Sequence, residues 1–286
     1  MRGSFYIFIL FLTLQSCTKE YVQTDPLTGE ALQSLTTKDS ATCQISSIRQ
    51  MSGKTSFNKL EYQRDNSSKV MGLNYYDSIS KTVDYKLSFQ YHGDTILMSK
   101  SEWLVQDPQT KNINKYFVRD TSNGILVDDI LYDYKYDLPG KLVQKLIYYN
   151  YSTVPDYISK YLYDGNNLIT TQLFAGDGIT KLMQTDITYD INTITKPWIY
   201  LFGDAFESYR FVQGFSFGPR STLAVKKIVS TIYDANYGNA LDTWTTSFSG
   251  YVISKDQYVL QVTCDGDIQQ GMGLFLGTIR FDYQCN

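Results

Sequence analysis

Tyr161-Leu162-Tyr163-Asp164-Gly165-Asn166-Asn167-Leu168 decides the fold class. Apolar and aromatic residues lead into Asp-Gly-Asn-Asn and resume directly after it. The Asp carboxylate can bond the backbone two residues on, and Gly takes a left-handed backbone without steric cost. The stretch therefore predicts a strand, a tight turn and a second strand. Asp137-Leu138-Pro139-Gly140 and Gly176-Asp177-Gly178 carry the same turn chemistry. Tyr-Asp recurs six times, at Tyr76-Asp77, Tyr132-Asp133, Tyr136-Asp137, Tyr163-Asp164, Tyr189-Asp190 and Tyr233-Asp234. Random placement of the 25 Tyr and 24 Asp would give about two. The excess reads as a degenerate unit in which a strand ends in Tyr and Asp starts the turn. Its irregular spacing excludes a strict solenoid.

Alternation of period two supports the same reading. Tyr85, Leu87, Phe89 and Tyr91 share one phase, opposite Lys86, Ser88, Gln90 and His92. Tyr209, Phe211, Phe215 and Phe217 align likewise, as do Trp244, Thr246, Phe248 and Val252, then Tyr258, Leu260, Val262 and Cys264. The last segment sets Phe275, Ile279, Phe281, Tyr283 and Cys285 opposite Arg280 and Asp282. Only residues 197 to 207 could hold a short helix. The fold class expected is all-β: one large antiparallel meander of roughly twelve to sixteen strands over residues 43–286, curled or closed into a barrel-like sheet to limit exposed edges.

Composition bounds the chemistry. Hydrophobic residues make up 43% of 286, enough for a sizeable core. A net charge of -3 leaves no basic footprint for nucleic acid. The single His excludes paired-His metal sites.

The N-terminus reads as an address. Arg2 precedes an apolar run from Phe5 to Leu14, about 15 Å as a helix and half of a bilayer core. Such a run describes a secretory signal. Leu14-Gln15-Ser16-Cys17 resembles the lipobox of bacterial lipoproteins. The resemblance implies removal of residues 1–16, lipidation of Cys17 and a polar tether over 17–42, with reach of about 25–30 Å. The alternative is a plain secretory signal, with Cys17 discarded or free. Lys19-Glu20 resembles the charged signal that directs some Bacteroidota lipoproteins to the cell surface, and leaves surface against periplasm open. The expected location is the cell envelope, by a lipid in the outer membrane.

Units such as Tyr161 to Leu168 resemble the YD-type repeats of Bacteroidota lipoproteins. Thr188-Tyr189-Asp190 followed by Lys196-Pro197-Trp198 is similar to a Tyr-Asp…Asn-Pro-Phe element common in them, with Lys-Pro-Trp as a departure. The ending, Tyr251 to Tyr283, is similar to their closing strands. The group resembled is a domain of unknown function with a porin-like fold. It implies a rolled antiparallel sheet on a lipid anchor and no catalytic residues. Transmembrane barrels alternate too, but a lipid anchor would be redundant for one.

Candidate sites are few. Cys264 and Cys285 lie on the apolar phase of neighbouring strands and could form a disulfide. Cys43 is the competing partner, and three buried thiols are the remaining alternative. The cysteine spacings match no metal motif, so no metal or other cofactor is expected. His92 sits on a polar strand face near Gly93 and reads as a solvated strand end. Glu61, Glu102 and Glu207, with many Asp that mostly read as turn formers, are the carboxylates left for a hydrolase of glycosidase type. Asp164-Gly165-Asn166-Asn167 and Asp265-Gly266-Asp267 offer oxygen ligands for calcium, but turn chemistry explains both. Trp103, Trp198 and Trp244 could stack on sugar rings or fill the core. The expectation is a non-catalytic, lipid-anchored envelope protein that binds a glycan or an envelope protein. A structural or assembly component is the alternative, and a carboxylate hydrolase is third.

Overall fold

A computed structural model describes residues 43–52, 55–76, 83–122, 125–201, 215–267 and 276–285. Among them, seventeen strands form one antiparallel sheet. The first eight are β1 (Cys43–Ser52), β2 (Thr55–Arg64), β3 (Val70–Tyr76), β4 (Val83–Ser88), β5 (Gln90–His92), β6 (Thr95–Leu97), β7 (Glu102–Gln106) and β8 (Ile113–Ser122). Then come β9 (Ile125–Tyr136), β10 (Leu142–Tyr149), β11 (Tyr157–Asp164), β12 (Asn167–Ala175) and β13 (Lys181–Ile194). Last are β14 (Leu223–Tyr233), β15 (Ala240–Ile253), β16 (Val259–Gly266) and β17 (Gly277–Cys285). β4 and β5 are two halves of one strand line interrupted at Phe89, whose N–H still reaches the Met71 carbonyl. Counted as one, they bring the total inside the expected range.

The meander closes. Each strand pairs with its sequence neighbour, and β17 returns to β1 from Cys43↔Cys285 to Met51↔Thr278. Closure removes the free edges that a long open sheet would expose. The disulfide joins Cys43 to Cys285, with Cα atoms 4.0 Å apart. This corrects the expected Cys264–Cys285 pair. Cys264 lies opposite Gly277, eight residues up β17, and is a buried free thiol. Beside this seam, Arg49 reaches Asp282 at 2.6 Å, and the Ser47 hydroxyl bonds the same carboxylate.

Successive antiparallel turns alternate between the two ends of the barrel. Cys43, Cys285, the β9–β10, β11–β12 and β15–β16 turns, and the β13–β14 connection therefore share one end, the terminal rim. Asp carboxylates cap turns at both ends. Asp65 accepts from the Ser67 and Lys69 N–H groups, Asp107 from Thr110, and Asp177 from Ile179 and Thr180. Gly165 supplies its left-handed residue at φ 54°.

Tyrosines brace the terminal rim. The hydroxyls of Tyr91, Tyr136, Tyr189 and Tyr251 donate at 2.7 Å to the carbonyls of Val70, Ile113, Leu168 and Val225. Tyr283 donates to Val259 at 2.8 Å. Each bond runs to the adjacent strand near its start. Burial pushes the Tyr91 and Tyr189 phenols up to about 12, so they stay protonated donors.

The interior is apolar across β2 to β8 and mixed further on, where Lys145, Ser159, Thr171, Thr185 and Ser230 are buried on the inward face. Tyr62, Leu73 and Leu87 form one inward row across β2 to β4, and Leu104 and Tyr116 face inward from β7 and β8. A barrel of 16 to 18 strands can leave an aqueous channel. Here the β13–β14 connection enters the mouth instead. Residues 195 to 201 hold no helix, the rest of the expected helix to 207 lies outside the described residues, and Trp198, Ile199, Tyr200 and Leu201 are buried. Phe215 and Phe217 lie in the same connection, not in the expected strand, and their rings meet Phe89 and Tyr134 edge-on. Trp198 meets Tyr251 and Phe281. Ser216 bridges to Asn112, and the Ile113 N–H donates to the Ser216 carbonyl at 2.8 Å. Gly218 (φ 91°) passes so close to the β9–β10 turn that a Cβ would stand 2.5 Å from the Gly140 carbonyl oxygen. Only Gly fits there.

The outer wall is polar where the pattern is longest. Lys135, Gln144, Lys160, Gln172, Gln184, Thr231 and Thr243 pair in one outward row from β9 to β15. A lipid-facing barrel requires an apolar band on this outer face.

Candidate ligand site on the outer wall

An aromatic shelf departs from this polar pattern. Trp103 pairs with Phe117, Phe117 with Leu131, and Leu131 with Tyr148, so four outward side chains line up across β7 to β10. Strands about 4.8 Å apart make the row roughly 14 Å wide. The Trp103 and Phe117 rings stack at 4.9 Å with planes 11° apart. Alternation puts these residues outside because their neighbours Leu104 and Tyr116 are core.

The next outward row along the same strands is charged. Arg119 pairs with Asp129, their Nη2 and Oδ2 atoms 3.2 Å apart. Asp129 is nearly buried, with 10% of its side chain exposed, whereas Arg119 keeps 43%. The Arg119 guanidinium lies 5.9 Å from the Trp103 ring centre and donates to the Tyr151 hydroxyl at 3.3 Å. Its attraction to Asp129 pushes its pKa further above the ordinary value, and the same carboxylate pushes the Tyr151 phenol up. Tyr151 sits on the β10–β11 loop, where Asn150 (φ 51°) and Tyr151 (φ 60°) both take left-handed backbone. The Asn150 N–H donates to the Asp129 carbonyl at 2.7 Å, and its side-chain oxygen accepts from the Asp129 N–H at 3.2 Å. The loop is thereby fixed over the shelf. A cavity of about 170 Å³ lies between Trp103, Phe117, Arg119, Asp129, Tyr148 and Tyr151. A cavity of about 150 Å³ can hold one six-membered ring.

The three tryptophans do not converge. Trp103 is on the shelf. Trp198 is 2% exposed and packed within the barrel mouth, which removes it as a stacking surface for a ligand. Trp244 faces inward opposite Ser230, half-buried. His92 is exposed at the β5–β6 turn. Glu61 pairs with Lys59 at 3.3 Å, Glu102 pairs in register with Val118, and Glu207 lies outside the described residues. Asp267 accepts from the Thr245 N–H, a strand-end role. Among the described residues, no three His, Cys, Asp or Glu side chains are grouped to hold a metal ion. Cys17 and the tether also lie outside the described residues.

Arg119, Asp129 and Tyr151 were not evident as a site from the sequence. They converge only through the β8–β9 and β9–β10 registers, which no local pattern specifies.

No protein-family model and no curated protein sequence matches the chain. Solved structures similar to it include two porin-like proteins. A porin-like protein from Bacteroides uniformis ATCC 8492 aligns over 84% of this chain and 98% of its own, at 9% identity and a TM-score of 0.53. A porin-like protein from Bacteroides vulgatus ATCC 8482 has the same coverages, 15% identity and a TM-score of 0.49. The first supports the porin-like fold assigned above.

Proposed function

We propose that this chain is a non-catalytic, lipid-anchored protein of the cell envelope whose barrel binds a ligand or partner at the Trp103 shelf. The observation that carries the binding role is the shelf: stacked aromatics with a buried-carboxylate ion pair, on a wall whose longest outward row is polar. The four shelf side chains are half-buried, and a recess lined by aromatics with a few fixed polar groups is the usual form of a ligand site. The filled mouth and polar outer row argue for a carried barrel rather than an inserted pore.

The anchor reading rests on Leu14-Gln15-Ser16-Cys17. Several acyl chains on one Cys hold far more firmly than one. Kinship with the YD-repeat lipoproteins of Bacteroidota rests on the repeated Tyr-Asp units, and a shared fold with the Bacteroides uniformis protein accords with it. The test is retention of the purified mature chain on isolated cell-envelope material. Trp103→Ala and Arg119→Gln should each reduce retention severalfold, with unchanged far-UV spectra. Retention in both variants equal to that of the unmodified chain removes the shelf from the binding role.

A further inference from the structure

We propose that the shelf holds a neutral saccharide ring, an inference that rests on the shelf being the ligand site. The lining is divided as a sugar is. Trp103, Phe117, Leu131 and Tyr148 offer an apolar floor, and Arg119, Asp129 and Tyr151 offer donors and an acceptor along one side. A pyranose presents C–H groups on its face and hydroxyls on its edge. Aromatic faces suit the first and fixed polar groups suit the second.

Charge narrows the class. Arg119 and Asp129 cancel at 3.2 Å. An anionic ligand would have to displace Asp129 from the guanidinium, and a cationic one would have to displace Arg119. Either exchange exposes a charge that is now paired, at a cost. A neutral diol needs no exchange: one hydroxyl donates to an Asp129 oxygen while its neighbour accepts from Arg119. Volume narrows it again, since about 170 Å³ takes one ring rather than a folded segment. A peptide strand has no place to add, because β7, β8, β9 and β10 are each paired on both sides.

The experiment treats the envelope material used above before the mature chain is added. Mild periodate cleaves vicinal diols and spares peptide bonds. A broad protease does the reverse. A third sample is washed in about 1 M salt, where the screening length is roughly 3 Å. The expected result is that the shelf-dependent part of the retention falls at least about tenfold after periodate. It should remain after protease and in high salt, and Arg119→Gln should abolish it as Trp103→Ala does. Loss after protease with survival of periodate assigns a protein ligand and overturns the saccharide. Loss in high salt assigns a charged ligand and overturns neutrality. Both outcomes leave the shelf as a binding site, whereas retention independent of Trp103 and Arg119 overturns the site itself.

Discussion

Replacing Trp198 with Ala should cost about 4 kcal/mol of stability, as an indole lost from a packed mouth. The side chain is 2% exposed and sits between Tyr251 and Phe281 at ring distances of 6.2 and 5.4 Å, both edge-on. A buried aromatic removes roughly 150–250 Å² from water, which at about 25 cal/mol/Å² is worth roughly 4–6 kcal/mol. Alanine retains the Cβ, and the walls relax in part, which lowers the loss. Two edge-to-face contacts add about 0.5–1.5 kcal/mol each. Measured Trp and Phe truncations in cores cost about 3–5 kcal/mol, so the terms agree. Urea unfolding followed by far-UV circular dichroism would report the change as a lower midpoint with the slope unchanged. Trp103→Ala is the internal control. Its ring lies on the outer wall, and its loss should cost less than about half as much. A Trp198→Ala cost below about 1 kcal/mol, or one smaller than that of Trp103→Ala, would refute the reasoning. The β13–β14 connection would then not fill the barrel mouth.

Further outcomes rest on named contacts. Peptide mapping of the non-reduced protein should find the Cys43 and Cys285 peptides joined; a Cys264–Cys285 pair would contradict the β17–β1 seam. The bridge closes 242 residues of separation, so Cys43→Ser with Cys285→Ser should cost up to about 5 kcal/mol by loop entropy. Tyr136→Phe and Tyr189→Phe each remove one hydroxyl tie to the neighbouring strand and should cost about 1 kcal/mol, measured by the same urea midpoints. The turn hydrogen bonds to Asp65, Asp107, Asp177 and Asp190 hold these carboxyls below their ordinary value. The unfolded chain therefore takes up protons first as pH falls. The stability is complete above the ordinary carboxyl range and is lost as pH drops through the lowered values. Urea midpoints between pH 7 and 3 should fall in that acid window and less steeply in Asp177→Asn.

Local chemistry made much of the fold legible. Asp164-Gly165 forms its tight turn because the residues that favour the turn lie within it. Ile279, Phe281 and Tyr283 face inward as their alternation requires. Four of the six Tyr-Asp pairs stand at the end of a strand, at Tyr76, Tyr136, Tyr163 and Tyr233; Tyr132-Asp133 sits inside β9, and β13 continues past Tyr189-Asp190. The Tyr abundance has a further cause that spacing did not reveal, the hydroxyl ties at the terminal rim. Periodicity failed where the backbone changes phase. At Gly250 (φ 59°) the register shifts between Ser249 and Val252, so Tyr251 turns into the barrel and Val252 pairs with outward Gln261. One inserted residue reverses every side chain beyond it. It also failed for Phe215 and Phe217, whose alternation is that of an extended connection packed on all sides. The disulfide depends on closure of the meander, which brings β17 beside β1. The Arg119–Asp129 site depends on the β8–β9 and β9–β10 registers.

Under the proposed function, a polar-walled barrel with a filled mouth is held at the membrane by a lipid and not by its own strands. Detergent phase partition tests it most directly, comparing protein purified from membranes with a chain from Thr18 to Asn286 that lacks the lipidation site. The first is expected in the detergent phase and the second in the aqueous phase, with the same β-sheet spectrum. A Thr18–Asn286 chain that enters the detergent phase would contradict it, because the barrel wall itself would then be the membrane-seeking surface.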